Sequence, residues 1–196
     1  MYFMKKLFIL LITLVSLQTQ AQTYPPGLNV NDDAPDFTAM DQKSENVHLA
    51  KLLKKGNVVL VFYRGQWCPY CNKELKQLED SIGLIQAKGA TVLAITPELP
   101  ENISKTIEKT KASYPILYDK GLTIMNSYKV TFKVDDKTVE KYKGYGIDFL
   151  KANGDNGANL PVPAVYVVDK KGKIIYRFFD IDYKKRSSIK DILDHL

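Results

Sequence analysis

The sequence has few of the residues that most often mark a protein's chemistry. Its 196 residues include two cysteines, two histidines and one tryptophan. Two cysteines in a chain of this length exclude a small disulfide-rich scaffold, which needs a dense set of pairs. The composition also excludes collagen-like, coiled-coil and multi-span membrane classes. Four interpretations of the cysteine pair remain: a single structural disulfide, half of a metal site, a redox pair, or two unrelated buried thiols.

Strong charge of one sign is also missing. Lysine and arginine total 28 against 22 acidic residues, which gives a net charge of +6, and hydrophobic residues make up 45% of the chain. The lysines are spread over several predicted helix faces and turns, without an arginine-rich stripe. A single, mildly basic globular domain is therefore expected, and nucleic acid is not an expected partner.

The first 21 residues have the pattern of a secretory signal peptide. Lys5 and Lys6 are followed by an apolar run over residues 7–15, and small residues precede Gln22. The run is about half of the roughly 20 residues that a spanning helix needs, so a membrane anchor is the weaker alternative. The pattern predicts cleavage after Ala21, a periplasmic or otherwise extracytoplasmic location, and no stable membrane insertion afterwards. An N-terminal extension over residues 22–33, extended or mobile at 24–27, then precedes a domain over 34–196.

The alternation of apolar segments predicts an α/β fold with a mixed central sheet and helices on both faces. A buried strand, an amphipathic helix and a second buried strand form a βαβ unit, and a hairpin follows near the C-terminus. Residues 131–160 are the least patterned part. Strands are expected over 36–39, 58–63, 91–96, 115–118, 164–169 and 173–179, and helices over 49–53, 69–88, 101–111, 122–128 and 187–196.

Cys68 and Cys71 lie where the first buried strand ends and a helix begins. A Cys-x-x-Cys pair in this position brings the sulfurs within disulfide reach. The unpaired N–H groups and the dipole of a helix N-terminus stabilise a thiolate there. Pro69 suits the first helical position, where its missing N–H costs nothing. We expect Cys68 to be exposed just outside the helix and Cys71 to be buried on the apolar stripe.

The alternatives to a redox pair have less support from the residues. A disulfide closing so small a loop removes little entropy from the unfolded chain, so a purely structural role is a weak explanation. A zinc site needs two more ligands, and neither His48 nor His195 has ligand spacing to the cysteines. Asn72 stands where c-type haem attachment needs histidine. The pair is interpreted as redox-active, and neither a metal nor an organic cofactor is expected.

The segment Trp67-Cys68-Pro69-Tyr70-Cys71 resembles the active-site motif of the thioredoxin superfamily. The wider chain, about residues 30–196, resembles the peroxiredoxin-like branch of the alkyl hydroperoxide reductase/thiol-specific antioxidant (AhpC/TSA) family. The resemblance implies a thioredoxin-like fold and a thioredoxin-like dithiol donor. The supporting segments are 34–37, 62–75, 160–164 and 180–183.

Two departures from the peroxiredoxin pattern affect the implied chemistry. Peroxiredoxins carry Pro-x-x-x-Thr-x-x-Cys; in that frame Arg64 replaces the proline, Cys68 the threonine, and Cys71 takes the peroxide-reducing position. The family's peroxide-polarising arginine is replaced at or near Pro163, and Arg64 is a candidate for the missing positive charge. The thioredoxin pattern implies a cis peptide bond at Pro163, with an ordinary trans proline as the alternative. Trp67 is expected either to shield the disulfide and line a substrate surface or to pack against the sheet.

The sequence thus predicts an exported thiol peroxidase that reduces peroxides with its Cys-x-x-Cys pair. The reaction leaves a Cys68–Cys71 disulfide, which an external dithiol donor reduces again. In that version the Cys71 thiolate attacks the peroxide and Cys68 condenses with the sulfenic acid. The first alternative is an extracytoplasmic reductase in which Cys68 attacks a protein disulfide and Cys71 resolves the mixed disulfide. The second is a non-enzymatic binding module with a static disulfide.

Overall fold

The computed structural model describes residues 22–196. The predicted signal peptide lies outside this range. Within the described range, no helix has both the length and the apolar character needed to cross a membrane.

A mixed five-stranded sheet forms the centre of the fold, in the order β5-β4-β3-β8-β9. Strand β3 lies in the middle, parallel to β4 on one side and antiparallel to β8 on the other. All five residues of β3 are buried, as its unbroken run of apolar side chains requires of a strand covered on both faces. The predicted α/β class is confirmed. The strands are β1 Thr38–Met40, β2 Asn46–His48, β3 Val58–Phe62, β4 Thr91–Thr96, β5 Ile116–Tyr118, β6 Thr131–Lys133, β7 Asn159–Pro161, β8 Ala164–Val168 and β9 Ile174–Phe179.

Helices cover both faces of this sheet because β3 alternates its side chains between two cores. Val58, Leu60 and Phe62 contribute to one apolar cluster, and Val59 and Val61 to the other. The first core includes residues of α1 and α5, and the second includes residues of α2, α3, α4 and α8. The helices are α1 Leu49–Leu53, α2 Pro69–Asp80, α3 Ile82–Ala87, α4 Pro100–Thr110, α5 Thr123–Ser127, α6 Asp136–Gly144, α7 Phe149–Asn153 and α8 Ile189–Asp194.

The prediction of a single helix over residues 69–88 is wrong, because the helix is interrupted at Ser81. This residue has φ −108° and ψ 6°, outside helical geometry, and it separates α2 from α3. Its N–H is shared between the carbonyls of Gln77 and Leu78, each at 3.2 Å. Ile82 and Ile85 still keep the helical spacing of apolar residues, so periodicity alone did not show the break.

The weakly patterned segment 131–160 is an ordered insertion beside the sheet. Its ends form the antiparallel pair β6–β7, and helices α6 and α7 lie between them. A small core of Val134, Phe149 and Leu160 holds the insertion together, with Trp67 packed against it. The insertion therefore reaches the beginning of α2, where the two cysteines lie.

The N-terminal extension packs on the domain. Leu28 is buried, and the Gly27 N–H donates to the Lys129 carbonyl at 2.9 Å. The Gln22 side chain donates to the Lys133 carbonyl at 2.7 Å. The extension contains neither a helix nor a strand of its own, and the boundary at residue 34 stays a prediction.

Candidate active site

Cys68 caps the N-terminus of α2, beyond the carboxyl end of β3. Its backbone is extended (φ −90°, ψ 109°), and its sulfur accepts the backbone N–H of Cys71 at 3.4 Å. Pro69 occupies the first turn, as the sequence predicts. Both cysteines are free thiols in this structure, so the predicted Cys68–Cys71 disulfide describes an oxidised state and stays a prediction.

The predicted exposure of Cys68 is wrong, whereas the burial of Cys71 is confirmed. Cys68 is only 1% exposed and Cys71 is fully buried. The chain that follows β9 folds back over the pair, placing Arg186 Nη2 3.4 Å from the Cys71 sulfur and 4.0 Å from the Cys68 sulfur. Cys68 is nevertheless one of the residues that line a groove of about 380 Å³.

The two thiols have different pKa values because each one shifts the pKa of the other. A hydrogen bond from the Cys71 side chain, assisted by the charge of Arg64, lowers the pKa of Cys68 to about 6 against the opposing effect of burial. Burial raises the pKa of Cys71 well above its usual value, and the hydrogen bond and charge of Cys68 raise it further. At neutral pH the site therefore holds a Cys68 thiolate beside a protonated Cys71.

A buried ion pair supports the cysteines from the helix side. Glu74 lies one turn after Cys71 on α2, and its carboxylate is 2.8 Å from Arg186 Nε. Burial raises the pKa of Glu74, and the positive charge of Arg186 partly opposes that rise. Arg186 thus serves both this carboxylate and the sulfurs, and the ion pair ties the chain after β9 to α2.

A second buried carboxylate, Glu98, follows β4 at the same edge of the sheet. One of its oxygens accepts the Gln66 N–H at 2.7 Å, and the other is buried without a hydrogen-bond partner. Burial raises the pKa of Glu98 to about 8. Gly65 allows this close approach, because a Cβ there would lie 2.5 Å from Trp67 Nε1 and 2.6 Å from Glu98 Oε1.

We expect Gly65→Ala to destabilise the reduced protein by about 2 kcal/mol, since the added methyl group must displace the Trp67 ring or the Glu98 carboxyl. Gly83→Ala is the matched control. Gly83 is exposed in α3, and no atom lies within 4 Å of its Cβ position. There the substitution should stabilise by up to about 1 kcal/mol. Urea unfolding of both variants measures the difference, and equal effects would contradict this account of Gly65.

Arg64 and Trp67 lie together at the groove, as expected of residues supporting a substrate site. Arg64 is 3% exposed, and its guanidinium is 4.9 Å from the Trp67 ring centroid and 4.3 Å from that of Tyr183. Trp67 lines the groove with Cys68 and also contacts Tyr142 and Phe149 of the insertion edge to face, at 5.3 and 5.7 Å.

The cis peptide bond expected at Pro163 is wrong, because residues 22–196 contain no cis peptide bond. In the connection from β7 to β8, the Val162 N–H donates to the Val130 carbonyl at 2.8 Å, and the Pro163 carbonyl accepts from the Asp180 N–H at 3.4 Å. Pro163 is therefore the trans proline that the sequence left as the alternative. Pro163 lines a smaller cavity of about 140 Å³, which Arg64 also lines, rather than the groove at Cys68.

No cluster of three or more potential metal-binding side chains occurs within residues 22–196. His48 instead pairs with Asp36, with His48 Nε2 2.7 Å from a carboxylate oxygen. His195 bonds the Asp191 carbonyl, also at 2.7 Å.

The sequence profile of the AhpC/TSA family matches residues 30–177. The chain belongs to the AhpC/TSA family. The predicted resemblance to the AhpC/TSA family is thereby confirmed.

Similar proteins fall into two groups within this family and fold. Thiol-disulfide oxidoreductase ResA of Halalkalibacterium halodurans is 28% identical over 100 residues, which cover 50% of this chain and 56% of that protein. The crystal structure of peroxidoxin BcpB from Mycobacterium tuberculosis has a TM-score of 0.66 at 22% identity, covering 86% of this chain and 96% of that one. The thioredoxin domain of a Bacteroides vulgatus thiol-disulfide oxidoreductase has a TM-score of 0.55 at 22% identity, covering 80% and 94%. The two structural likenesses confirm the thioredoxin-like fold.

Three polar residues of the site were missed by the sequence analysis. Glu74 had a usable signal, because it lies three residues after Cys71 and therefore on the same face of α2. Glu98 had one too, since it follows a buried strand at the functional edge of the sheet. Arg186 lies in the irregular segment between β9 and α8, which has no sequence pattern, and only the folded chain places it at the sulfurs.

Proposed function

We propose that this protein is an extracytoplasmic thiol–disulfide oxidoreductase that reduces protein disulfides, with Cys68 as the attacking group. The observation that carries the proposal is the division of acidity between the two thiols. Cys68 has a lowered pKa and lines a groove, whereas Cys71 is fully buried and its pKa is raised. This is the first alternative of the sequence analysis, and the geometry favours it over the peroxidase.

The reaction begins when the Cys68 thiolate attacks one sulfur of the substrate disulfide. A bond forms between Cys68 and that sulfur, the substrate disulfide breaks, and its other sulfur leaves as a thiolate that takes a proton from water. The N–H of Cys71 and the nearby guanidinium of Arg186 stabilise the attacking thiolate. The product is a mixed disulfide at the base of the groove.

Resolution needs the proton of Cys71 to leave. Once Cys68 is bonded to substrate, its sulfur carries no charge and no longer raises the pKa of Cys71. Burial is then the remaining effect that keeps this pKa high. Glu74 and Glu98 are buried carboxyls that interact with Cys71, and burial raises the pKa of each to about 8. The ionised form of such a carboxyl, which becomes abundant as pH rises towards 8, is basic enough to accept the proton of a thiol. The Cys71 thiolate then attacks Cys68, and the second substrate thiolate leaves. An external thioredoxin-like dithiol then reduces the Cys68–Cys71 disulfide to two thiols and is itself oxidised to a disulfide.

The proposed location is outside the cytoplasm, on the basis of the signal-peptide pattern in residues 1–21. A reductase of this kind would keep partner cysteines reduced in an oxidising compartment.

Peroxide reduction is the second candidate, favoured by one contact. Arg186 Nη2 lies 3.4 Å from the Cys71 sulfur, so a guanidinium is present where a peroxide oxygen would need polarisation. In this reaction the Cys71 thiolate takes one peroxide oxygen to form a sulfenic acid, and an alcohol or water leaves. Cys68 then condenses with the sulfenic acid and releases water. Full burial and the raised pKa of Cys71 both oppose this route.

The test compares wild type in two assays, reduction of insulin disulfides by a dithiol donor and consumption of hydrogen peroxide. The double variant Cys68→Ser/Cys71→Ser is the blank. We expect insulin reduction well above the blank and peroxide consumption close to it. Rapid peroxide consumption without insulin reduction would replace the proposal by the second candidate. Inactivity in both assays would leave a binding module.

A further inference from the structure

The groove beside Cys68 contains a buried cation without a carboxylate partner. Arg64 is 97% buried, yet no carboxylate within residues 22–196 lies within 4.0 Å of its guanidinium. One guanidinium nitrogen donates to the Tyr142 hydroxyl, and Nε is buried with no hydrogen-bond partner. Leaving a charge buried without a partner is costly, so such residues usually have a functional explanation.

Aromatic rings take the place of the missing carboxylate. The guanidinium lies 4.3, 4.9 and 5.5 Å from the ring centroids of Tyr183, Trp67 and Tyr142. Ring faces attract a cation but do not neutralise it, so the field of Arg64 still reaches its surroundings. The charge of Arg64 also lowers the pKa of Cys68.

Apart from the Cys68 thiolate, the charged side chains that line the groove are positive. They are Arg64 and Lys141, which is exposed on α6, and no carboxylate of residues 22–196 lines the groove. The remaining walls are mostly aromatic, formed by Trp67, Tyr70, Tyr142, Tyr145 and Tyr183. The surface at the attacking sulfur is therefore cationic and aromatic.

We propose that this groove binds a polypeptide disulfide whose cysteine has an acidic residue beside it, with the carboxylate drawn to Arg64 and Lys141. This inference rests on the proposed function and names its substrate class. A polypeptide suits this groove because the side chains that flank its cysteine can pack against the aromatic walls. A small disulfide has no such flanking side chains. The substrate carboxylate supplies the carboxylate partner that Arg64 lacks within residues 22–196.

The experiment measures kcat/KM for end-blocked peptides in which one cysteine is bonded to a neutral 2-thiopyridyl group. The residue beside the cysteine is Glu, Gln or Lys, and oxidised glutathione is a separate substrate. We expect wild type to prefer the Glu peptide over the isosteric Gln peptide by about fivefold to tenfold, and the Lys peptide to be the poorest. Added salt should reduce these preferences.

Variants separate recognition from the effect of Arg64 on the thiolate. Arg64→Gln raises the Cys68 pKa and slows all peptides, but the proposal requires its Glu-to-Gln ratio to fall to about one. Lys141→Gln should reduce the ratio by about half, and it keeps the test available if Arg64→Gln does not fold. Lys143→Gln is the control, since Lys143 is exposed on the same helix but does not line the groove.

Three results would overturn the inference. A wild-type ratio near one, with all peptides reduced, would leave the oxidoreductase intact but remove acidic recognition. Activity on oxidised glutathione but not on the peptides would show that the substrate is a small disulfide and not a polypeptide. An unchanged ratio in both Arg64→Gln and Lys141→Gln would place recognition elsewhere. Failure of wild type to reduce any peptide or insulin would instead count against the proposed function itself.

Discussion

The Cys68→Ser variant is expected to lose disulfide-reductase activity by at least about a thousandfold, since a serine hydroxyl is not ionised at neutral pH and is a poor nucleophile towards sulfur. Cys71→Ser should behave differently. Its hydroxyl still donates to the Cys68 thiolate, so the first attack proceeds, but the mixed disulfide with substrate cannot be resolved. Mass spectrometry of each variant after incubation with a disulfide-bonded peptide measures the trapped adduct.

The controls for this prediction separate attack from resolution. Cys71→Ala removes the hydrogen bond that lowers the Cys68 pKa, so it should trap the adduct more slowly than Cys71→Ser at pH 6. An adduct that forms on Cys71 in Cys68→Ser at the wild-type rate would reverse the assignment of the two thiols. It would also bring back the peroxiredoxin frame, in which Cys71 reacts first.

The Arg186→Met variant is expected to destabilise the reduced protein by about 3 kcal/mol at pH 8, because Glu74 is left buried without its partner. The loss should be smaller at pH 5. The folded pKa of Glu74 is raised above its unfolded value, so the folded state holds more protons between these values and stability falls as pH rises through them. Loss of Arg186 raises that pKa further and steepens the fall. Urea unfolding at the two pH values measures the difference.

Two further variants test whether the loss comes from the buried charge. Glu74→Gln/Arg186→Met removes both charges, so it should recover much of the stability and abolish most of the pH dependence. Lys190→Met breaks the exposed pair with Asp194 on α8 and should have no measurable effect. A similar loss at pH 5 and pH 8 in Arg186→Met would show that packing, not the charge of Glu74, explains the destabilisation.

The sequence predicts the centre of the fold because that part rests on local patterns. The apolar runs of β3, β4 and β8, and the stripe along α2, identify the βαβ unit and the edge where the cysteines lie. The break at Ser81 was not visible, since the apolar spacing continues across it. The insertion over residues 131–160 was not predictable either, because its core of Val134, Phe149 and Leu160 forms between distant positions.

The site was predictable only where neighbours in the chain are neighbours in space. The capping position of Cys68 and the placement of Pro69 follow from the helix start alone. The burial of Cys68 does not follow from the helix start, because Arg186, which lies beside its sulfur, is 118 positions away along the chain. The lowered pKa of Cys68 depends first on the hydrogen bond from Cys71 and then on the charges of Arg64 and Arg186, of which only Arg186 is distant in the sequence. Sequence reasoning therefore located the chemistry but left open which sulfur attacks.

The order of reaction of the two sulfurs is tested most directly by the pH dependence of alkylation. Fully reduced wild type is treated with iodoacetamide from pH 4 to pH 9, and the modified residue is identified by peptide mass spectrometry. The account predicts modification at Cys68 with an apparent pKa of about 6, and no modification of Cys71 over the same period. Modification of Cys71 first, or a Cys68 pKa at or above the usual value for a free cysteine, would contradict it.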